Sequence, residues 1–85
     1  MNIAAIIPAL NEEKTIANVI RAIDSANLVN EIIVISDGSR DKTALLAKQA
    51  GARVIELPET IGKGGAMAIA VDSTKAEIIM FFDAD

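Results

Sequence analysis

Residues 77–85 read EIIMFFDAD, a continuous apolar run that ends in two carboxylates one residue apart. A run that is apolar on both faces is typical of a strand in a parallel sheet that helices cover on both sides, so we expect a strand at Ile78–Phe82. Ligands of open α/β sheets bind beyond the carboxyl ends of the strands, which is where Asp83 and Asp85 fall. If the extended geometry continued this far, the two carboxylates would lie on the same side of the chain.

The chemistry of these two carboxylates favours a divalent cation. Hard oxygen ligands suit Mg²⁺ or Mn²⁺, and these ions in turn suit a diphosphate. The sequence contains no cysteine and no histidine, so a metal must be held by oxygen. Disulfides and a histidine-based catalytic triad are excluded for the same reason. A simpler interpretation, solvated acids at the end of the chain, stays open at this point.

The composition indicates one small α/β domain. The 85 residues are 52% hydrophobic, which is the composition of a buried core with little chain to cover it. No apolar run approaches the roughly 20 residues of a membrane span, and the first residues lack a signal-peptide pattern. The net charge of −4 argues against a general nucleic-acid-binding surface.

Strand and helix patterns alternate along the rest of the chain. The predicted strands before the last one are Ile3–Pro8, Glu31–Ser36 and Ala52–Leu57. The predicted helices are one capped by Asn11 that runs to Ala26, a second at Asp41–Ala50 and a third at Ala66–Thr74. This βαβαβαβ order predicts a Rossmann-like parallel sheet with helices on both faces. The last strand would keep one edge unpaired, so we expect a homo-oligomer or a partner chain that covers it.

The turns after the strands exclude two common phosphate-binding motifs. The turn after the first strand contains no glycine, so the dinucleotide-binding fingerprint is absent, and Gly62-Lys63 lacks the remainder of a P-loop. What the strand ends share is a set of acids with one cation: Glu12, Asp37, Lys63, Asp83 and Asp85. Each has a simpler explanation, as an acid at a helix start, a turn former or a solvated side chain. Together, at one edge of one sheet, they predict a ligand site.

Four segments resemble those of one enzyme family in order and spacing: IIPALNEE (6–13), IVISDGSRDKT (33–43), IGKGGA (61–66) and FFDAD (81–85). The chain resembles the amino-terminal half of a family 2 glycosyltransferase of the GT-A fold. The polyprenyl-phosphate or dolichol-phosphate mannosyl- and glucosyltransferases and the glucosyl-3-phosphoglycerate synthases are the most similar groups. The resemblance implies transfer of a sugar from a nucleoside-diphosphate sugar, UDP- or GDP-linked, with Mg²⁺ or Mn²⁺. The acceptor would be a polyprenyl phosphate or a small phosphorylated acid, and the location cytoplasmic, with membrane association through a lipid acceptor or further segments.

The resemblance also implies a role for each matched residue. A nucleoside pocket would be lined by Pro8, Ala9, Leu10 and Glu12, with Glu12 on the ribose hydroxyls. Asp37 would accept a hydrogen bond from a ring N–H of the base. Lys63 would lie near the base or the diphosphate, and Asp83 and Ala84 would complete the nucleotide-sugar site, with Asp83 by the ribose. Asp85 would ligate the metal.

Two departures from the family pattern qualify these expectations. Ser36 stands where the family often has a first aspartate, which leaves Asp37 as the matched acid at the base. The family's acceptor site and general base lie beyond the position of Asp85. We therefore expect residues 1–85 to be the nucleotide-sugar-binding half of a GT-A domain, truncated after the D-x-D motif. A non-catalytic nucleotide-binding fragment, one chain of a split enzyme and, less favoured, a nucleotidyltransferase remain as alternatives.

Overall fold

The computed structural model describes residues 2–85, which form four strands and three helices in strict alternation. The elements are β1 (Ile3–Ala9), α1 (Ile16–Ala26), β2 (Glu31–Asp37), α2 (Thr43–Gln49), β3 (Arg53–Leu57), α3 (Lys63–Asp72) and β4 (Ile78–Phe81). The strand and helix order predicted from the sequence is confirmed.

The four strands form one parallel sheet in the order β3-β2-β1-β4. The register places Ile6 of β1 between Ile33 of β2 and Phe81 of β4. Because all four strands run the same way, their carboxyl ends and the turns that follow them lie at one edge of the sheet.

The core has two layers, one on each face of the sheet. Ala5 and Ile7 of β1 point to the face that carries α1 and α2, where Ile16, Ile20, Ile23 and Ala47 are buried. Ile6 of β1 points to the other face, where it packs with the small side chains of α3, Ala66 and Ala70. Alternating side chains of the two central strands supply both layers, which explains why most residues of β1 and β2 are apolar without alternation.

The start of α1 corrects one prediction. Asn11 does not cap this helix, which begins at Ile16 after Thr15. Asn11 instead has a left-handed backbone, with φ of +53°, and its side-chain oxygen accepts a hydrogen bond from the amide of Arg40. Glu12 therefore lies before the first turn of α1, which contains no acid, although its backbone oxygen accepts the amide hydrogen bond of Ile16, the first residue of the helix.

The bounds of further elements also differ from the predicted ones, since α2 is Thr43–Gln49 rather than Asp41–Ala50 and β3 begins at Arg53 rather than Ala52. The third helix begins at Lys63 rather than Ala66, because the burial of Ala66 and Ala70 against the sheet offsets the weak helix propensity of Gly64 and Gly65. The strand β4 ends at Phe81 rather than Phe82, so Asp83 and Asp85 lie in the segment that follows the strand.

Among residues 2–85, β4 pairs only with β1 and its other edge is free. Ile78, Met80 and Phe81 are between 37% and 46% exposed, although all three are apolar. An apolar groove of about 450 Å³ lies beside this edge, between Met80 and Phe82 on one side and α1 on the other. This strand is the predicted aggregation-prone part of the surface, because an exposed apolar edge is a template for pairing with another chain.

We expect the 85-residue chain to self-associate through β4, and Met80→Lys to reduce that association by adding a charge to the edge. Leu45→Lys is the matched control, since Leu45 is exposed on α2, which is not at this edge. Light scattering over a concentration series measures the mass. A wild-type chain that stays monomeric at high concentration would contradict the expectation.

Candidate functional site

A cleft of about 260 Å³ opens at the carboxyl ends of the strands. All nine residues assigned to the site from the sequence line this cleft: Pro8, Ala9, Leu10, Glu12, Asp37, Lys63, Asp83, Ala84 and Asp85. They lie at the carboxyl ends of β1 and β2, in the segments that follow β1 and β4, and at the start of α3, and the parallel sheet brings these parts together. The structure therefore places the predicted residues in one cavity, although their individual roles stay predictions.

The structure adds Thr60 and Gly62 to the lining of the cleft. Both lie in the segment between β3 and α3, immediately before Lys63. Their position after a strand end was the signal available in the sequence, because each of the other strand ends also contributes to the site. Their residue types carried no such signal, since threonine and glycine are common in any turn.

Asp37 is 5% exposed and joins two of the turns. Its Oδ1 accepts a hydrogen bond from the amide of Ile61 at 2.8 Å, and its Oδ2 accepts one from the amide of Gly62 at 3.0 Å. The hydroxyl of Thr60 donates to the backbone oxygen of Asp37 at 2.9 Å. Each carboxylate oxygen can accept a further hydrogen bond, so a base could still be bound by a carboxylate that these amides hold in place.

The turn after β4 is fixed by the first turn of the chain. The hydroxyl of Thr15 donates to the backbone oxygen of Ala84 at 2.7 Å. A second acceptor, Oε2 of Glu12, lies 3.4 Å away, and because a hydroxyl has one proton the shorter contact is the stronger one. The carboxylate of Glu12 is consequently left with acceptor capacity toward the cleft.

The ammonium of Lys63 lies 3.1 Å from Oδ1 of Asp83, and both side chains are more than half exposed. An exposed ion pair of this kind contributes at most about 1 kcal/mol, so a ligand could replace either partner at small cost. None of the ion pairs found in residues 2–85 involves Asp85. Its carboxylate thus lies at the cleft without a cationic partner from this part of the chain.

The charge of the cleft bears on what it can bind. Four carboxylates (Glu12, Asp37, Asp83 and Asp85) and the single ammonium of Lys63 line it, so its formal charge is −4 + 1 = −3. A diphosphate would meet net repulsion in this cleft unless a cation accompanied it. The donor set is all oxygen and fits Mg²⁺ or Mn²⁺. The described residues contain no cluster of three potential ligands, so the protein part of such a site would be small.

If Asp37 accepts a hydrogen bond from a base, as the family resemblance implies, Asp37→Ala should weaken the binding of a nucleoside diphosphate by about 1.5–3 kcal/mol, the range for a hydrogen bond to a charged group. Thr60→Val is the matched control, because it loosens the same segment but keeps the carboxylate. Calorimetry gives both affinities, with circular dichroism as the test of folding. If Thr60→Val weakened binding as much as Asp37→Ala, the aspartate would act through the segment alone.

Taken together, the parallel sheet and the acidic cleft beyond its carboxyl ends are those of an open α/β domain that binds a ligand at this end of the sheet. The sequence profile of Glycosyl transferase family 2 matches residues 4–85. The chain therefore belongs to glycosyl transferase family 2, and the family resemblance drawn from the four segments is confirmed.

Two curated relatives illustrate the similarity. Glucosyl-3-phosphoglycerate synthase of Mycobacterium tuberculosis is 40% identical over 98% of this chain and 28% of its own length. Dolichyl-phosphate beta-glucosyltransferase of Drosophila melanogaster is 35% identical over the whole of this chain and 31% of its own length. The chain thus spans about a third or less of the relatives it matches.

Solved structures give the same result for the fold. The crystal structure of the M. tuberculosis synthase with Mn²⁺, uridine diphosphate and glucosyl-3-phosphoglycerate has a TM-score of 0.89 at 39% identity, over 99% of this chain and 33% of that one. A structure of the same synthase contains Mg²⁺ and uridine diphosphate, with a TM-score of 0.88. The prediction of a Rossmann-like sheet of the GT-A type is confirmed. The longest helix in residues 2–85, α1, has 11 residues and is too short to cross a membrane.

Proposed function

We propose that residues 2–85 form the donor-binding part of a metal-dependent glycosyltransferase that takes its sugar from a UDP-sugar. One observation carries the proposal: the nine residues predicted from four separate segments line a single cleft. The mycobacterial relative, at 39% identity, has been crystallised with uridine diphosphate and a divalent metal. This favours UDP over GDP among the donors expected from the sequence.

In the proposed site, Glu12 accepts hydrogen bonds from the ribose hydroxyls, and Asp37 accepts one from the base. Pro8, Ala9 and Leu10 form the wall of the nucleoside pocket. The cleft is slightly smaller than the roughly 300 Å³ at which ligand pockets begin, so it would hold part of a nucleotide rather than enclose one.

At the diphosphate end, Asp85 would hold the metal, and Asp83 and Ala84 would lie by the ribose and the sugar. Mg²⁺ or Mn²⁺, when bound, would neutralise the charge that develops on the departing nucleoside diphosphate. Lys63 would exchange its contact with Asp83 for the diphosphate, which the weakness of an exposed ion pair permits. The general base and the acceptor site are assigned to no residue of this chain.

Two acceptor classes follow from the relatives, whose structures and names include phosphoglyceric acid in one case and dolichyl phosphate in the other. Both acceptors carry a negatively charged phosphate group. A polyprenyl phosphate and a small phosphorylated acid are therefore both retained. The cytoplasmic location expected from the sequence stays a prediction.

The proposal is tested by titrating the chain with UDP and with GDP, each with and without Mn²⁺. We expect UDP to bind more tightly than GDP and the affinity to depend on the metal. Absence of nucleotide binding by a folded chain would reject the proposal. Transfer itself is measured when the chain is joined to an acceptor-binding part, using UDP-glucose with phosphoglyceric acid or dolichyl phosphate. Binding without transfer to any acceptor would favour the alternative of a nucleotide-binding module.

A further inference from the structure

Two turns beside the cleft are joined by hydrogen bonds that run in both directions. The first turn, residues 10–15, follows β1, and the second turn, residues 38–43, follows β2 and includes the first residue of α2. Three successive amides of the first turn donate to side chains of the second: Asn11 to Ser39 Oγ at 3.1 Å, Glu12 to Thr43 Oγ1 at 2.8 Å and Glu13 to Asp41 Oδ2 at 3.3 Å.

The second turn donates to the first in the same manner. The amide of Arg40 donates to Asn11 Oδ1 at 2.8 Å, and the amide of Lys42 donates to Glu13 Oε2 at 3.1 Å. Residues 28 to 31 positions apart in the sequence are thus connected by five bonds between backbone and side chain. A turn normally satisfies its amides locally or with water, so this number of bonds to one partner fixes the two turns as a unit.

Thr43 and Asp41 are at the centre of this unit. The Thr43 side chain is fully buried. Its hydroxyl accepts a hydrogen bond from the amide of Glu12 and donates one to Oδ1 of Asp41. The same oxygen of Asp41 also accepts the amide of Thr43 at 2.9 Å. Burial acts to raise the pKa of Asp41, but hydrogen bonds from Thr43 and Glu13 outweigh it and lower the pKa below its ordinary value. Asp41 is therefore an ionised acceptor at neutral pH.

Asn11 is held by the second turn at two points. Its backbone is left-handed, a conformation that asparagine adopts more readily than most L-residues, and both its amide and its side chain bond to the second turn. Of the residues in these five bonds, Glu12 alone lines the cleft. The bond from the Glu12 amide to Thr43 therefore fixes the backbone position from which the Glu12 side chain reaches the site, and the residues of the second turn do not line the cleft.

We propose that Thr43 and Asp41 are positioning residues, which hold Glu12 in the orientation that binds a ribose through its hydroxyls. The inference rests on the proposed function, because it takes Glu12 to be the ribose ligand. It assigns a role in the site to the DKT part of the second segment, whose residues do not line the cleft. A positional error in Glu12 would weaken its bonds to the ribose while leaving the contacts to the base and diphosphate in place.

The test compares the affinities for UDP and 2′-deoxy-UDP, since their ratio isolates the hydroxyl contact from general changes in stability. In the wild-type chain UDP should bind more tightly, and Glu12→Gln should remove most of the difference. Thr43→Val, which keeps the shape and removes the hydroxyl, should lower the ratio by roughly two- to tenfold, the range of one neutral hydrogen bond. Thr43→Ser should restore it. Asp41→Ala, at a half-buried position, is the second variant in case Thr43→Val folds poorly.

Thr74→Val is the matched control. Thr74 also makes side-chain hydrogen bonds, but it lies before β4, at the amino ends of the strands and away from the cleft. It should leave the ratio unchanged. Amide exchange at Glu12 and Glu13, measured without nucleotide, should accelerate in Thr43→Val and not in Thr74→Val. A wild-type chain that binds both nucleotides equally would overturn the ribose role of Glu12, and with it this inference. A preference that Glu12→Gln abolishes but Thr43→Val and Asp41→Ala preserve would overturn the positioning role and leave the proposed function intact.

Discussion

Replacing Asp85 by asparagine should remove most of the gain in UDP affinity that Mn²⁺ confers. The cleft has a formal charge of −3 before any ligand enters, so the diphosphate and the metal are expected to bind in a mutually dependent way. Coupling between two ligands is typically 5- to 150-fold, and by linkage it applies equally to the metal in the presence of UDP. Asp85→Asn keeps the shape of the side chain but removes the charge that attracts the metal.

Asp83→Asn is the matched control for this substitution. Asp83 is paired with Lys63 and is assigned to the ribose side, so its loss should weaken UDP binding while preserving the effect of Mn²⁺. The chain is best prepared with a carboxyl-terminal amide, so that the side chain is the only carboxylate of residue 85. In a form that transfers sugar, Asp85→Asn should lower the rate by orders of magnitude. UDP binding that does not respond to Mn²⁺ in the wild-type chain would contradict the metal role of Asp85.

Among the glycine-to-alanine substitutions of this chain, Gly38→Ala should lower the stability most. A Cβ at residue 38 would lie 2.5 Å from the backbone nitrogen of Thr60, and φ is +75°. We expect the left-handed backbone to lower the free energy of unfolding by about 1–2 kcal/mol and the steric overlap to lower it by about 1–3 kcal/mol more. Because the overlap is with backbone, Thr60 must shift, and the segment that carries Gly62 and Lys63 would move with it.

Gly51→Ala separates the two contributions, since its φ is +101° and no atom lies within 4 Å of the added Cβ. It should show only the backbone effect. Urea denaturation of both variants measures the difference, and UDP titration shows whether the cleft is affected. Equal losses of stability in the two variants would mean that the turn after β2 and the segment before Lys63 separate easily.

The elements of the fold were predictable because their signals are local. The apolar runs of β1 and β2 are long, uninterrupted and ended by turn residues, and the alternation of strands with helical spacings restricts the topology to a parallel sheet. The strand ends then locate the cleft, since all parallel strands present their carboxyl ends to the same edge. This is why isolated acids such as Asp37 and Asp85 could be assigned to one site.

The details that could not be predicted depend on contacts between distant residues. Asn11 has the residue type of a helix cap, yet its side chain accepts the amide of Arg40, and nothing near Asn11 in the sequence indicates that partner. The bonds from Ile61 and Gly62 to Asp37 are equally non-local. Sequence patterns identify which residues gather at the edge of the sheet, whereas their orientation depends on hydrogen bonds that only the assembled turns can form.

The strand order has a consequence for the time at which the site can form during synthesis. The neighbours of β1 are β2, made soon afterwards, and β4, whose Ile78 pairs with Ile3 at the opposite end of the chain. Pairing of strands so far apart in the sequence is slow, and β4 cannot pair with β1 before β4 has emerged from the ribosome. A nascent chain would therefore lack a complete cleft until β4 is available, and until then one edge of β1 would stay unpaired. Nucleotide and metal, by binding the closed arrangement alone, would favour completion of the sheet.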